Sequence, residues 1–211
     1  LPCDRQGESV SKTLEYCYDD WCIAQVAKAM GKQADYDAYH QRAHYWENVF
    51  DPSVGFVRGK SYSREWLSPF DPTVNSAYSE GNAYQYMYVP HDVDGLAARF
   101  GSDEAFGAWL DTLFTKESKR GERGSIGQYW HGNEPSHHII YLYCYAGQPW
   151  KAQEKLRLGL HLLLREGSTE RNLAALIPLG VAYAGKAITD AVVARDHDRA
   201  LRWVLIELAA V

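Results

Sequence analysis

Across residues 10–30 the apolar side chains return every three or four positions. Leu14, Cys17, Trp21, Ala24 and Ala27 fall near one stripe, until Gly31 stops the run. The same period recurs over residues 35–50, 105–114, 139–145 and 151–166, and no strand-length alternation bounded by hairpin turns accompanies it. A chain with this one period buries itself by laying helices side by side. The expected class is therefore all-α, built from antiparallel helical hairpins. Its 211 residues make one domain, or a large part of one, with room for a core.

Proline and glycine divide the pattern. Residues 35–50 are expected to form a second helix, capped by Asp35 and ended by Asp51-Pro52. Residues 51–79, broken by Pro52, Gly55, Gly59, Pro69 and Pro72, read as a long irregular loop, and such loops usually serve function. It carries Arg58, Arg64, Trp66 and Phe70, residue types that line polar clefts. Helical pattern is expected again from Glu80, with an interruption at Pro90, as far as Phe100. Residues 116–124 read as a charged surface turn. Beyond Trp150 the chain becomes rich in Leu, Ala and Val; of 28 Phe, Trp and Tyr residues, only Tyr183 and Trp203 lie there. Aromatic faces at the density found upstream suit a carbohydrate cleft and a helical core alike.

The net charge of −5, with no Lys/Arg stripe to offset it, argues against a nucleic-acid partner. No apolar run approaches the roughly 20 residues of a membrane span. Leu1-Pro2-Cys3-Asp4 has neither the basic start nor the apolar stretch of a signal peptide, so the chain itself does not name its compartment. Cys3, Cys17, Cys22 and Cys144 fit no metal or redox spacing. Cys17 and Cys22 point to different faces of one helix, and buried free thiols are expected.

Chemistry is densest at residues 125–138, Ser-Ile-Gly-Gln-Tyr-Trp-His-Gly-Asn-Glu-Pro-Ser-His-His. Glu134-Pro135-Ser136 reads as the start of a helix, because proline is tolerated in a first turn where its missing N–H is not needed. The apolar run at 139–145 then reads as a largely buried helix closed by Gly147. Glu134 would sit at the positive end of that helix dipole. Glu134, Asn133, Gln128 and backbone carbonyls offer only oxygen ligands, which suits a hard cation. The same residues also suit an ordinary capped helix with two satisfied histidines. Adjacent His137 and His138 diverge by about 100° on a helix and do not make a zinc pair.

Several blocks, taken in order, resemble glycoside hydrolase family 92. They are Ser11-Lys12-Thr13-Leu14-Glu15-Tyr16 running into Tyr18-Asp19-Asp20-Trp21-Cys22-Ile23-Ala24, Asn48-Val49-Phe50-Asp51-Pro52 with Gly55-Phe56, and Glu80-Gly81-Asn82. Val89-Pro90-His91-Asp92-Val93, His131-Gly132-Asn133-Glu134-Pro135-Ser136-His137-His138 and Tyr145-Ala146-Gly147-Gln148-Pro149-Trp150-Lys151 complete the set. The resemblance covers about residues 8–157. It implies a partial (α/α)6 toroid and a calcium-dependent α-mannosidase that inverts the anomeric centre of a mannose-containing glycan. It makes Glu80 the general acid, puts Ca2+ by Asn133 and Glu134, and sets His131 and Gly132 against the leaving sugar. Enzymes cutting α-1,2 links tend to carry His-Glu at that pair, and Gly132 departs from it. Export to the periplasm or cell exterior is the setting the resemblance implies. Packing of Glu80 among Tyr78, Tyr84 and Tyr86 is expected to raise its pKa and keep it protonated.

The family's general base lies in an acidic Gly-rich motif ending Asp-x-Gly-x-Met-Ser. At the matching distance the chain has Lys186-Ala187-Ile188-Thr189-Asp190-Ala191-Val192, and Asp190 lacks the accompanying glycine, methionine and serine. Residues 158–211 are expected to be a helical tail packed on a partial catalytic domain at 1–157. Helix faces meant for absent partners would be covered by that tail or by another chain. Weak or absent turnover by this chain alone is the expectation. The rival reading is a non-catalytic carbohydrate- or calcium-binding helical domain.

Overall fold

The computed structural model describes residues 1–118 and 125–165, and among these the architecture is all-helical. The expectations for Asp190 and for the tail beyond residue 165 lie outside the described residues. Helix α1 (Ser9–Ala29) buries Val10, Leu14, Cys17, Asp20, Ala24 and Ala27 along one stripe. Gly31, at φ 71°, ends it, and Lys32 N–H reaches back to the Ala27 carbonyl at 2.9 Å, a six-to-one closure that only a left-handed residue permits. The chain reverses into α2 (Gln33–Ala43). The pair is antiparallel: Lys28 stands over the Tyr36 ring, while one helical length back Arg42 grips Asp20 with two nitrogens, each at 3.0 Å. Of the two adjacent acids on α1, Asp20 is buried and Asp19 is exposed, as their divergence demanded.

The second helix differs from expectation at both ends. It starts at Gln33, with Asp35 in its first turn rather than at its cap, and its α-form stops at Ala43. Residues His44–Val49 tighten into a 3₁₀ helix. Tertiary demands decide this: Trp46 is fully buried with its indole N–H on Asp92 at 3.2 Å, and Phe50 must leave extended. Strand β1 (Phe50–Asp51) pairs antiparallel with β2 (Phe56–Val57), Phe50 opposite Val57.

The loop that follows is held from inside. Arg58 donates to Asp51 Oδ2 and to the Leu67 carbonyl, both at 2.8 Å, and its guanidinium lies 5.0 Å from the centre of the Phe70 ring. Arg58 and Phe70 are thus structural pins, not cleft residues, and Lys60 covers Trp66. Arg64 lines a separate pocket of about 340 Å³ beside Leu1 and Tyr62.

The helix expected from Glu80 onward does not form. Gly81 takes φ 67°, and the Asn82 side chain accepts the Tyr84 and Gln85 N–H groups at 3.1 and 3.3 Å. A side chain that captures backbone donors in this way competes with the helix ladder, and here it wins. Helices α3 (Val93–Ala98), capped by Asp92, and α4 (Asp103–Thr115), capped by Ser102, follow.

A short hairpin of β3 (Ser125–Ile126) and β4 (Tyr129–Trp130) turns at Gly127, a second departure from a strand-free reading. Glu134–Ser136 and Ile139–Tyr141 are 3₁₀ turns, and α5 (Leu142–Tyr145) is brief. Ile139, Ile140, Leu142 and Tyr143 are buried there, whereas Cys144 and Tyr145 are exposed. Helix α6 (Pro149–Arg165) runs without a break past residue 157. The four thiols are free as expected, but only Cys17 is buried.

Aromatic residues build much of the core. Phe56 lies edge-on to Tyr84 at 4.7 Å, and Phe100 contacts Phe106 and Trp109 at 5.1 and 5.3 Å. Phe106 is fully buried in this cluster. Phe106→Ala is expected to cost about 3–5 kcal/mol, read as a lower urea midpoint with unchanged slope.

Candidate active site

One cleft of about 350 Å³ draws its walls from three distant parts of the chain: Glu15 on α1, Ser79, Glu80, Tyr86 and Tyr88 on the turn after the long loop, and Glu134 with Pro135. Residues 80 and 134 therefore share one cavity. Glu80 is exposed, not packed among Tyr78, Tyr84 and Tyr86 as expected. The left-handed Gly81 swings the preceding side chain outward while residues 81–87 are buried, and of those tyrosines only Tyr86 lines the cleft.

Behind the cleft runs a ladder of buried amides. Asn82 Nδ2 donates to Gln128 Oε1 at 2.9 Å, and Gln128 Nε2 to the Glu117 carbonyl at 2.7 Å. Gln85 Nε2 donates to the Gln128 carbonyl at 2.9 Å, so its oxygen faces Asn133, whose Nδ2 donates to it at 3.0 Å. That order fixes the Asn133 amide: the nitrogen is used and the oxygen points away. Asn133 Oδ1 is buried without a hydrogen-bond partner, although the residue is only 2% exposed. A buried acceptor left unmatched costs about 1–3 kcal/mol, and a cation is one group able to match it. Gln128, by contrast, has its oxygen taken by Asn82 and braces the site instead of ligating.

Gly81 is needed because this ladder crosses it. A Cβ at residue 81 would stand 2.2 Å from Gln85 Oε1 and 2.6 Å from Asn133 Nδ2. Gly81→Ala is expected to destabilise the chain by about 2–4 kcal/mol, combining left-handed strain with a broken buried hydrogen bond. Thermal denaturation beside wild type measures it.

The remaining expected residues, His131 and Gly132, are not among those lining the cleft. His131 is 6% exposed; Tyr129 Oη stands 2.6 Å from its Nδ1, and its ring stacks on that of His137 at 4.7 Å. Burial, with His137 alongside, pushes its pKa down to about 4. Gly132 is exposed, and a Cβ there would meet the Trp130 indole at 2.6 Å. Glu15 was not singled out from the sequence. Burial first, then the charges of Asp19, Glu80 and Glu8, raise its pKa. A helical face was the available signal: Ser11, whose Oγ accepts the Ser79 N–H at 2.8 Å, lies one turn before it. Among the described residues, His44, Glu47 and Asp92 form a group able to ligate a metal, with ligand atoms within 4.8 Å of one another.

Residues 1–163 match the glycosyl hydrolase family 92 catalytic domain. The chain belongs to glycoside hydrolase family 92. Among solved family 92 structures, an α-mannosidase of Bacteroides thetaiotaomicron in complex with mannoimidazole is 41% identical, with a TM-score of 0.71 over 76% of this chain and 23% of that one. An inverting family 92 mannosidase of the same organism is 36% identical, with a TM-score of 0.69 over 77% of this chain and 24% of that one. An uncharacterized secreted glycosidase of Arthroderma benhamiae is 30% identical over 67% of this chain and 20% of its own length. The chain thus spans about a fifth to a quarter of the relatives it matches.

Proposed function

We propose that this chain carries the acid-and-cation portion of the active site of a calcium-dependent, inverting exo-α-mannosidase acting on mannose-containing glycans. The observation that carries the reading is the single cleft shared by Glu80 and Glu134, whose chain neighbour Asn133 keeps a buried, unmatched oxygen. The names of the family 92 mannosidases, one of them inverting, support it.

Glu80, exposed on the cleft wall, gives its proton to the departing glycosidic oxygen. Inversion places the water on the opposite face of the sugar, with the two carboxyl groups of such enzymes about 6.5–9.5 Å apart. Asn133 Oδ1 and Glu134 would hold calcium, which when bound supplies a hard positive charge for sugar hydroxyls. His131 and Gly132 lie towards the leaving sugar in this reading. The Trp130 indole fills the place of a residue 132 side chain, so the His-Glu pair that goes with α-1,2 cleavage is not formed here. A periplasmic or extracellular setting goes with the reading, and the secreted Arthroderma benhamiae relative supports it.

Calorimetric titration with calcium, then with methyl α-mannoside, tests the proposal. Calcium heat should vanish in Glu134→Ala, and sugar binding should require calcium. Absence of any calcium heat in the wild type would overturn the metal assignment. Because Asp190 lacks the motif of the family's base, turnover of an aryl α-mannoside by this chain should fall about 10²- to 10⁴-fold below that of a complete relative. Residual turnover should be lost in Glu80→Gln.

A further inference from the structure

We infer that His44, Glu47 and Asp92 form a second metal site, separate from the cleft, that takes a zinc-class divalent ion and not calcium. His44 and Glu47 are three apart in the 3₁₀ helix His44–Val49, where residues i and i+3 eclipse, so both side chains stand on one face. Asp92 reaches them from the cap of α3.

The spacing of these groups is not that of a finished hydrogen-bond pair. His44 Nδ1 lies 3.3 Å from Asp92 Oδ2 and 3.8 Å from Glu47 Oε1, beyond the roughly 2.7–2.9 Å of a charge-assisted bond. One imidazole nitrogen also cannot serve two carboxylates with its single proton. Ligands held 2.0–2.1 Å from a tetrahedral ion stand about 3.3–3.4 Å from each other, which is the separation of His44 and Asp92.

The far side of each carboxylate is already tied down. Arg99 Nη2 holds Glu47 Oε2 at 2.6 Å, and Gly95 N–H holds Asp92 Oδ1 at 3.1 Å. Trp46 Nε1 donates at 3.2 Å to Asp92 Oδ2, the oxygen on the His44 side, whose second lone pair remains for an ion. Outer partners of this kind orient metal ligands and fix which oxygen faces the ion. One turn earlier His40 presents a further imidazole, its ring centre 5.1 Å from that of His44. An imidazole donor selects a zinc-class ion over calcium, whose ligands are oxygens. Bound there, the ion would tie the start of α3 to the end of the first helical hairpin.

The test is thermal denaturation of the EDTA-dialysed chain with zinc alone and with calcium alone. Zinc at a hundredfold excess over its dissociation constant is expected to raise Tm by about 5–10 °C. His44→Ala and the isosteric Glu47→Gln should each weaken zinc binding at least about tenfold. Cys144→Ser, which removes an exposed thiol, should keep the full response. Cobalt should give the intense visible bands of a tetrahedral site, lost in His44→Ala. No zinc response in the wild type, unchanged zinc affinity in both variants, or absence of the cobalt bands would overturn the inference. So would a calcium-induced rise in Tm that depends on His44. A calcium response that depends on Glu134 instead belongs to the cleft and leaves the second site zinc-selective.

Discussion

Arg58→Ala should lower the unfolding free energy by about 3–5 kcal/mol. The Arg58 and Asp51 side chains are 13% and 2% exposed, and their contact is 2.8 Å. Truncating the arginine strands a buried carboxylate and also frees the Leu67 carbonyl that holds the long loop. Urea denaturation measures the loss. The double variant Arg58→Met/Asp51→Leu should recover most of it, because an apolar pair of similar volume leaves no charge behind. Burial alone would raise the Asp51 pKa, but Ser53 and Arg58 together hold it below the usual 3.8. A depressed carboxyl stabilises the fold fully above its unfolded pKa. That stabilisation fades as pH drops below 3.8 and is lost as pH falls through the lower folded value.

The second large effect is also lost on acidification, in an earlier window. Burial pushes the His138 pKa from 6.5 to about 4, although its Nε2 meets the Met87 carbonyl at 2.9 Å. The folded chain therefore keeps this ring neutral while the unfolded chain protonates it. Stability is full above pH 6.5 and declines as pH falls towards 4, by roughly 2–3 kcal/mol for this ring. Denaturation midpoints at a series of pH values should show that decline in the wild type. They should show a flatter profile in His138→Gln, whose amide can still donate to Met87. A wild-type profile already flat between pH 6.5 and 4 would mean that the ring is solvated.

The hairpin of α1 and α2 was legible because its period is long and its glycine stop is local chemistry. The Glu80 turn was not. Its residues have helical spacing, and what overrides that spacing is the Asn82 amide together with partners 46 and 48 residues away in the pairs Asn82–Gln128 and Gln85–Asn133. The short ladders failed for a related reason, since two-residue strands are too brief to show a period. Glu80 and Glu134 could be named from local motifs, but their common cavity could not, because it depends on how the amide ladder folds one segment against the other. Glu15 shows the same limit: nothing adjacent in sequence marks it, and its place emerges only once α1 docks against Ser79. His44, Glu47 and Asp92 escaped notice because Asp92 comes from a different element.

The amide ladder has a mechanical consequence. The segment bearing Glu80 and the segment bearing Glu134 are stitched together through direct hydrogen bonds between rigid, planar groups. The two walls of the cleft are therefore held at a set spacing before anything enters it. A disturbance of either wall is felt at once by the other.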